Sequence, residues 1–272
     1  MTPPASAENA RRFHQLHQDG LLILANAWDA GSARLIESVG AKAIATSSAA
    51  VAWSHGYADG DLLPVPLLAA TVAEIARVIR VPLSVDFEGG YSSDPVRVGE
   101  NAAVLIAAGA VGINIEDGGG TPELLGAKIG EIRRRASQLG VSLFVNARVD
   151  TYLRELVPAD RQLDETLARA ALYRAAGADG IFVPGVVDAA TIRTIAAAVR
   201  LPLNVLARPT LPPAGELAAL GVRRLSAGSG IAGAAYGRIA ALATGFMHEG
   251  RSAPLAEGAL SYRDINALIA TP

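Results

Sequence analysis

Short apolar runs alternate with longer amphipathic or alanine-rich segments along the whole chain. The apolar runs predict eight β-strands, at residues 21–28, 43–48, 83–88, 112–117, 142–150, 180–184, 203–207 and 224–227. The segments between and after them predict helices at residues 32–39, 67–79, 95–108, 126–139, 164–176, 189–199 and 231–244. Because strands that are apolar on both faces and separated by helices are typical of parallel sheets, we expect a parallel sheet with helices outside it.

The residues before the strands alternate between two patterns. The second, fourth, sixth and eighth strands follow Gly40-Ala41, Gly109-Ala110, Gly177-Ala178 and Gly221-Val222, where glycine suits a helix C-cap. The third and seventh strands follow Val81-Pro82 and Leu201-Pro202, where proline ends a helix. Eight repeated units of this kind predict a closed (β/α)8 TIM barrel. An open doubly wound sheet is the alternative, but residues 26–31 lack the GxGxxG pattern that it usually carries.

We therefore expect an α/β chain with one (β/α)8 barrel domain spanning residues 1–272. Within it, residues 1–20 form an N-terminal helical segment and residues 246–272 form a helical C-terminal tail. A tail of this kind either packs on a neighbouring subunit or caps the barrel.

Composition excludes several classes of protein. Of the 272 residues, 51% are hydrophobic and 18% are charged, which indicates a large core. A formal net charge of -2 leaves no basic footprint, so we expect neither nucleic acid nor membrane as a partner. The chain has no cysteine, which removes thiolate metal sites and cysteine nucleophiles. The polar start of the chain has no apolar signal-peptide region, and no apolar run is long enough to span a membrane, so we expect a cytoplasmic protein.

Polar side chains concentrate where the predicted strands end. Active sites of TIM barrels form at the carboxyl ends of their strands. The candidate residues there are Asn26, Ser47, Ser48, Asp86, Glu88, Asn114, Glu116, Asn146, Arg148, Asp150, Asn204 and Ser226. We therefore expect the active site at this end of the barrel.

Three of these carboxylates predict a metal site. Alternation along a strand places Asp86 and Glu88 on one face, and Glu116 comes from the next strand. Such carboxylates would repel one another without a cation, and oxygen ligands without histidine or cysteine favour Mg²⁺ or Mn²⁺. The alternative is that Glu88 and Asp117 are solvated loop acids and only Asp86 is buried. Arg148 either binds a substrate carboxylate or neutralises Asp86 and Glu116.

Two glycine-containing loops also lie near this end. Gly228-Ser229-Gly230 precedes the eighth helix and could bind a phosphate, although a tight turn into the helix is the more favoured interpretation. Asp59-Gly60-Asp61, in the loop after the second strand, offers a mobile carboxylate, and a simple surface turn is almost equally well supported.

In five segments the chain resembles the isocitrate lyase and phosphoenolpyruvate mutase superfamily. The resemblance extends over residues 13–242, and no one segment would be specific without the others. The segments are Ala45-Thr46-Ser47-Ser48-Ala49, Gly56-Tyr57-Ala58-Asp59-Gly60, Val85-Asp86-Phe87-Glu88-Gly89-Gly90-Tyr91, Asn114-Ile115-Glu116-Asp117 and Asn146-Ala147-Arg148-Val149-Asp150.

The resemblance implies an oligomeric (β/α)8 barrel, a dimer or tetramer, whose eighth helix is exchanged between subunits. It implies Mg²⁺ held by Asp86, with Glu88 and Glu116 acting largely through waters. It also implies a small α-oxo or α-hydroxy carboxylate substrate, bound around Ser47, Ser48 and Ala49 and by Arg148. Asp59 matches a family aspartate near the reacting group, so Asp59 and Arg148 are the implied catalytic residues.

The chain departs from the superfamily in the loop after the fourth strand. Lyases acting on isocitrate and methylisocitrate carry a catalytic cysteine there, whereas residues 116–122 form a shorter loop without cysteine. The pattern of the enzymes that act on phosphonopyruvate includes an asparagine in this loop and a histidine after the sixth strand, and both are missing here.

These features together predict an enzyme, namely a Mg²⁺-dependent carbon–carbon lyase that forms a pyruvate enolate. Oxaloacetate decarboxylation is the leading activity, because it needs no general base to start. The alternatives are a carbon–phosphorus enzyme acting on phosphonopyruvate, a 2-methylisocitrate lyase, which the missing cysteine disfavours, and a barrel that binds metal and a small acid without turnover.

Overall fold

The structure is a computed structural model, and it describes residues 7–270. Its strands are β1 Leu22–Leu24, β2 Asn26–Ala27, β3 Ile44–Thr46, β4 Leu83–Asp86, β5 Gly112–Glu116, β6 Phe144–Arg148, β7 Gly180–Val183, β8 Leu203–Leu206 and β9 Val222–Ser226. Its α-helices are α1 Ala7–Leu16, α2 Ala30–Ser38, α3 Ser48–Ser54, α4 Val65–Val78, α5 Pro95–Ala108, α6 Pro122–Gln138, α7 Gln162–Ala176, α8 Ala189–Val199, α9 Ala214–Ala219, α10 Gly230–Glu249 and α11 Tyr262–Ala270. Short 3₁₀ helices lie at Ala159–Arg161 and Ala253–Leu255.

Within this part of the chain, nine parallel strands form one sheet in the order β1-β9-β8-β7-β6-β5-β4-β3-β2. The two ends of this order, β1 and β2, are consecutive pieces of the first predicted strand. Leu22 to Leu24 pair with β9, whereas Asn26 and Ala27 pair with β3. One chain segment therefore joins the last strand to the second predicted strand, and the sheet closes into the expected α/β barrel.

The strand predictions are confirmed, with the first one divided into β1 and β2. The glycines before the even-numbered predicted strands also act as expected. Gly109 and Gly177 are C-caps of α5 and α7 with φ values of 120° and 109°, in the region that favours glycine.

Two helices were not predicted from sequence, α3 and α9. The seven residues of α3 are small or apolar on nearly every face, so they have no amphipathic period that would predict a helix. Four of its residues are buried, which shows that packing rather than surface pattern stabilises it. Helix α9 has only six residues and follows Pro212 and Pro213.

The bottom of the barrel, at the amino ends of the strands, is closed by an apolar cluster of α1 and nearby strand residues. Phe13 is fully buried, and the adjoining His17 stacks on Phe144 with ring centroids 4.0 Å apart. His17 Nδ1 lies 2.7 Å from Phe13 O, and burial lowers the pKa of His17 to about 3. This end is therefore packed, which leaves the carboxyl ends of the strands for a binding site.

The two chain ends correspond in part to the predicted segments. Helix α1 lies inside the predicted segment 1–20, of which residues 1–6 are outside the described residues. Helix α10 is longer than predicted and ends inside the predicted tail 246–272, of which residues 271–272 are also outside them. Helix α11 lies against α2, where Arg34 Nε donates to Leu268 O at 3.1 Å. Among residues 7–270, no helix is long and apolar enough to cross a membrane.

Candidate active site

A cavity of about 190 Å³ opens at the carboxyl ends of the barrel strands. Its lining residues come from the ends of most strands and from the loops that follow them. They are Asn26, Ser47, Ser48, Ala49, Asp59, Asp86, Asn114, Arg148, Leu153, Phe182, Pro184, Leu206, Ser226, Gly228 and Ser229. The cavity is therefore at the end of the barrel where the sequence predicted the active site.

Every residue predicted to contact substrate or take part in catalysis lines this cavity. Ser47, Ser48 and Ala49 are brought there by the turn from β3 into α3, where Ser47 is the N-cap residue. Asp59 lies on an exposed loop, yet its carboxyl faces the cavity. Burial raises the pKa of Asp59, and the nearby charge of Asp86 adds to this increase. Arg148 completes the set at the end of β6.

Asp86 is the one of the three predicted metal carboxylates that lines the cavity. It is the last residue of β4, and its backbone N–H donates to Thr46 Oγ1 at 2.8 Å. Its Oδ2 accepts from the backbone N–H of Ser48 at 3.0 Å, and Asn114 Nδ2 is 3.4 Å from Oδ1. These bonds fix the carboxylate and still leave it facing the cavity.

The expectation that Asp86 and Glu88 share one face is wrong. Strand β4 ends at Asp86, and Glu88 has a φ of 50°, so the alternation of an extended strand does not continue through it. Glu88 Oε2 accepts from the backbone N–H groups of Gly60, at 2.8 Å, and Asp61. Glu88 Oε1 accepts from the hydroxyl of Tyr91 at 2.6 Å. The carboxylate is thus directed at the loop that carries Asp59.

Glu116 is directed at Arg148, its register neighbour on β6. The two side chains form a close ion pair, and Arg148 also holds Asp150 through two bonds, Nε to Oδ1 at 2.6 Å and Nη2 to Oδ2 at 2.9 Å. Burial acts to lower the pKa of Arg148, but the charges of Glu116 and Asp150 outweigh it and raise that pKa. Three of the five N–H donors of Arg148 are therefore occupied by protein, and two can serve a substrate.

The three predicted metal carboxylates do not form one cluster. Among residues 7–270, no group of three or more histidine, cysteine, aspartate or glutamate side chains is placed to hold a metal ion. A site with Asp86 as one protein ligand still fits Mg²⁺, which commonly binds one or two carboxylates and keeps several waters or substrate oxygens. Roles for Glu88 and Glu116 through waters stay a prediction.

Asp117 is buried, as is Glu88, so the alternative that both are solvated loop acids is wrong. Asp117 Oδ2 accepts from Tyr173 Oη at 2.6 Å and from Arg169 Nη1 at 2.9 Å. Its Oδ1 accepts from the backbone N–H of Asp150 at 3.0 Å. Asp117 therefore fixes the backbone of the residue that orients Arg148.

The cavity has an apolar side that the sequence analysis did not identify. It consists of Leu153, Phe182, Pro184 and Leu206, from the sixth and seventh predicted strands and the loop after the fifth. Their positions at or after strand ends were the available signal, but apolar residues there have the same sequence pattern as the buried core. The polar and apolar sides together suit a small molecule with one charged end.

The loop after β9 is a turn into α10, with Ser229 at the N-cap position. Gly228 has a φ of 59°, and its backbone N–H donates to Asn26 Oδ1 at 2.9 Å. This N–H is therefore occupied, which supports the tight-turn interpretation over a phosphate cradle. Asn26 Nδ2 also donates to Thr46 O at 2.7 Å. The Asn26 side chain on β2 is thus bonded both to the end of β3 and to the turn after β9.

Comparison with known proteins places this barrel in a family. Residues 13–247 match the family model described as phosphoenolpyruvate phosphomutase. An uncharacterized protein of Mycobacterium tuberculosis (strain ATCC 25618 / H37Rv) is 39% identical over 223 residues, which cover 80% of this chain and 81% of that protein. Oxaloacetate decarboxylase of Bradyrhizobium sp. (strain BTAi1 / ATCC BAA-1182) is 32% identical over 203 residues, covering 72% of this chain and 70% of the relative.

A solved structure, phosphonopyruvate hydrolase in complex with oxalate and Mg²⁺, has the same fold. Its TM-score is 0.83 at 22% identity, and the match covers 96% of this chain and 94% of that one. At this level of identity the likeness shows the fold alone.

Proposed function

Because this chain belongs to the phosphoenolpyruvate phosphomutase family, we propose that it is a lyase that breaks the bond to a substituent on C3 of a 2-oxo or 2-hydroxy acid. Decarboxylation of oxaloacetate is the specific activity proposed. The observation that carries the proposal is the single cavity in which the Asp86 carboxylate, the Arg148 guanidinium and an apolar side meet. The 32% identity to oxaloacetate decarboxylase supports the choice of substrate.

We propose that Asp86 would hold Mg²⁺, or Mn²⁺, together with oxygens of the substrate and water. Carboxylate and neutral oxygen ligands without histidine or cysteine are the set that these ions prefer. The presence of Mg²⁺ and oxalate in the phosphonopyruvate hydrolase complex supports this assignment. When bound, the ion would supply a Lewis acid that stabilises negative charge on the enolate oxygen.

The other lining residues would bind and orient the substrate. Ser47, Ser48 and Ala49, with the two N–H donors of Arg148 that the protein does not use, would hold the C1 carboxylate and orient the substrate. The C4 carboxylate would then lie against the apolar side, which includes Phe182 and Leu206. An apolar surface destabilises the charged carboxylate but not the neutral CO₂ that forms from it, and this difference favours decarboxylation.

In the proposed reaction the C3–C4 bond breaks, and its electron pair stays with C3 as the enolate of pyruvate. CO₂ leaves, and C3 then takes one proton to give pyruvate. Asp59 and Asp86 are the two acids among the lining residues. Since Asp86 is assigned to the metal, Asp59 is the one left to carry the proton on a carboxyl oxygen.

We expect the purified protein with Mg²⁺ to release pyruvate and CO₂ from oxaloacetate faster than free Mg²⁺ does. Coupling pyruvate to lactate dehydrogenase measures the rate, and a chelator should return it to the uncatalysed value. Phosphonopyruvate, followed by phosphorus NMR, is the parallel assay for the carbon–phosphorus alternative. No pyruvate above the free-metal rate would contradict the decarboxylase, and a Tm raised by Mg²⁺ and oxalate would then favour the non-catalytic binding barrel.

We also propose that the chain forms a homo-oligomer through α10. This helix has 20 residues, yet only Ala232 and Gly245 are buried. Its exposed apolar side chains include Ile239, 59% exposed, and Met247, 80% exposed. Apolar surface of this kind along one helix is typical of an association surface.

Light scattering on a sizing column should therefore give a mass of at least twice 27.9 kDa. The double variant Ile239→Glu/Met247→Glu should shift the protein towards 27.9 kDa, because charges would have to be buried in the interface. Val104→Glu, at an exposed position of α5, is the matched control and should leave the mass unchanged. A wild-type mass of one chain would contradict the proposal.

A further inference from the structure

Two short segments at the rim of the cavity bind each other reciprocally. Glu88 receives hydrogen bonds from the backbone N–H groups of Gly60, at 2.8 Å, and Asp61. In return, Asp61 Oδ1 accepts from the backbone N–H groups of Gly89, at 3.2 Å, and Tyr91, at 3.0 Å. Each segment thus supplies one carboxylate and two backbone donors to the other.

The backbone of both segments is shaped for this contact. Asp61, Glu88 and Tyr91 have φ values of 58°, 50° and 58°, a region that residues other than glycine rarely adopt. At Gly89 a Cβ would lie 2.5 Å from Asp61 Oδ2, so a side chain there would displace the Asp61 carboxylate from this contact. Three unfavourable conformations next to one another need strong local contacts to persist.

Glu88 is buried, whereas the loop that it contacts is exposed. Glu88 is 4% exposed and also accepts from the Tyr91 hydroxyl. The buried Lys128 Nζ donates to Gly89 O at 2.6 Å, which fixes this segment to α6. Residues 53–62 are exposed, and the tip of this loop is attached by the hydrogen bonds to Glu88 and Asp61 and by one between Asp59 and Ser48.

The exposed loop carries Asp59 into the cavity, one residue before the pair of N–H groups that Glu88 binds. We propose that Glu88 and Asp61 are positioning residues, which latch the loop across the rim and so place the Asp59 carboxyl over the substrate. The part of this inference that concerns turnover rests on the proposed function; the latch itself does not. In this role Glu88 acts through hydrogen bonds accepted by its oxygens, and its charge is not essential.

This distinguishes the latch from a contact of Glu88 with a metal. A glutamine at position 88 keeps an oxygen for the two backbone donors, and an asparagine at position 61 keeps one for Gly89 and Tyr91. Alanine at position 88 or 61 has no side-chain oxygen to accept these bonds. A role that depends on charge next to a metal would be lost equally in Glu88→Gln and Glu88→Ala.

Hydrogen exchange on the metal-free protein tests the latch without reference to activity. We expect amides of residues 56–62 to exchange about 10-fold faster or more in Glu88→Ala and Asp61→Ala, because two hydrogen bonds between the segments are lost in each. Glu88→Gln and Asp61→Asn should remain within about 3-fold of wild type. Leu62→Ala, at an exposed position of the same loop, is the matched control.

Steady-state kinetics then test the positioning of Asp59. In the two alanine variants kcat should fall about 10-fold or more while KM changes less than about 3-fold, since the chemical step loses its proton carrier and binding does not. The amide variants should restore kcat. If Glu88→Ala does not fold, Asp61→Ala decides, because Asp61 is on the exposed side.

Unchanged exchange in Asp61→Ala would overturn the latch. Fast exchange in the alanine variants with unaltered kcat would show a latch that does not position Asp59, and would overturn that part of the proposal. An inactive wild-type protein with the expected exchange pattern would contradict the proposed function alone.

Discussion

Replacing Asp86 with asparagine should reduce kcat/KM for oxaloacetate by about 10³-fold or more, a loss of roughly 4 kcal/mol of transition-state stabilisation. Asp86 is the one predicted metal carboxylate that lines the cavity. Asparagine keeps an oxygen for the backbone N–H of Ser48 but has no negative charge, so affinity for the divalent cation should fall with activity. The measurements are the coupled pyruvate assay and a Mn²⁺ titration followed by electron paramagnetic resonance.

The fold should tolerate this change. The backbone bond from Asp86 to Thr46 does not involve the carboxyl group, and the asparagine is of equal size. We expect Tm to stay within about 3 °C of wild type, as for a change of less than ~1 kcal/mol. Asp160→Asn, an exposed position away from the cavity, controls for loss of one carboxylate. Full activity with Mg²⁺ in Asp86→Asn would remove Asp86 from the mechanism.

The barrel could be predicted from sequence because its determinants are local. Apolar runs give the strands, and glycines such as Gly109 and Gly177 end helices three residues before the next strand. The position of the site was also predictable, since Asp86 and Arg148 are the final residues of extended strands, where alternation still fixes the direction of a side chain.

The sequence did not predict the direction of a side chain where the backbone leaves the strand. It also did not predict hydrogen-bond partners that are distant along the chain. Glu88 is two residues beyond the last extended residue, and its φ of 50° directs the carboxylate to another loop. The glycines that follow it were the available sign of a turn. Asp117 is held by Arg169 and Tyr173, which are 52 and 56 residues further along the chain, and no local pattern indicates such partners.

Arg148→Ala should be the most destabilising change in the site. Arg148 is the mostly buried cation between Glu116 and Asp150, and Asp150 is fully buried. Removal of one partner from a buried ion pair costs about 3–5 kcal/mol, and here the more exposed Arg154 would be left to face both carboxylates. The free energy of unfolding should fall by that amount and Tm by about 10 °C. Urea denaturation of the metal-free protein measures the loss independently of activity.

Arg154 provides a matched control, because it pairs with the same two carboxylates from a more exposed position. Its Nε lies 3.0 Å from Asp150 Oδ2 and its Nη2 lies 4.0 Å from Glu116 Oε1, but its side chain is 52% exposed against 16% for Arg148. Water screens such a pair, so Arg154→Ala should cost less than about 1 kcal/mol. Arg148→Lys should fall between the two, since lysine keeps the charge but cannot reproduce the paired bonds to Asp150. Equal losses in Arg148→Ala and Arg154→Ala would show that burial of the guanidinium is not what makes Arg148 important.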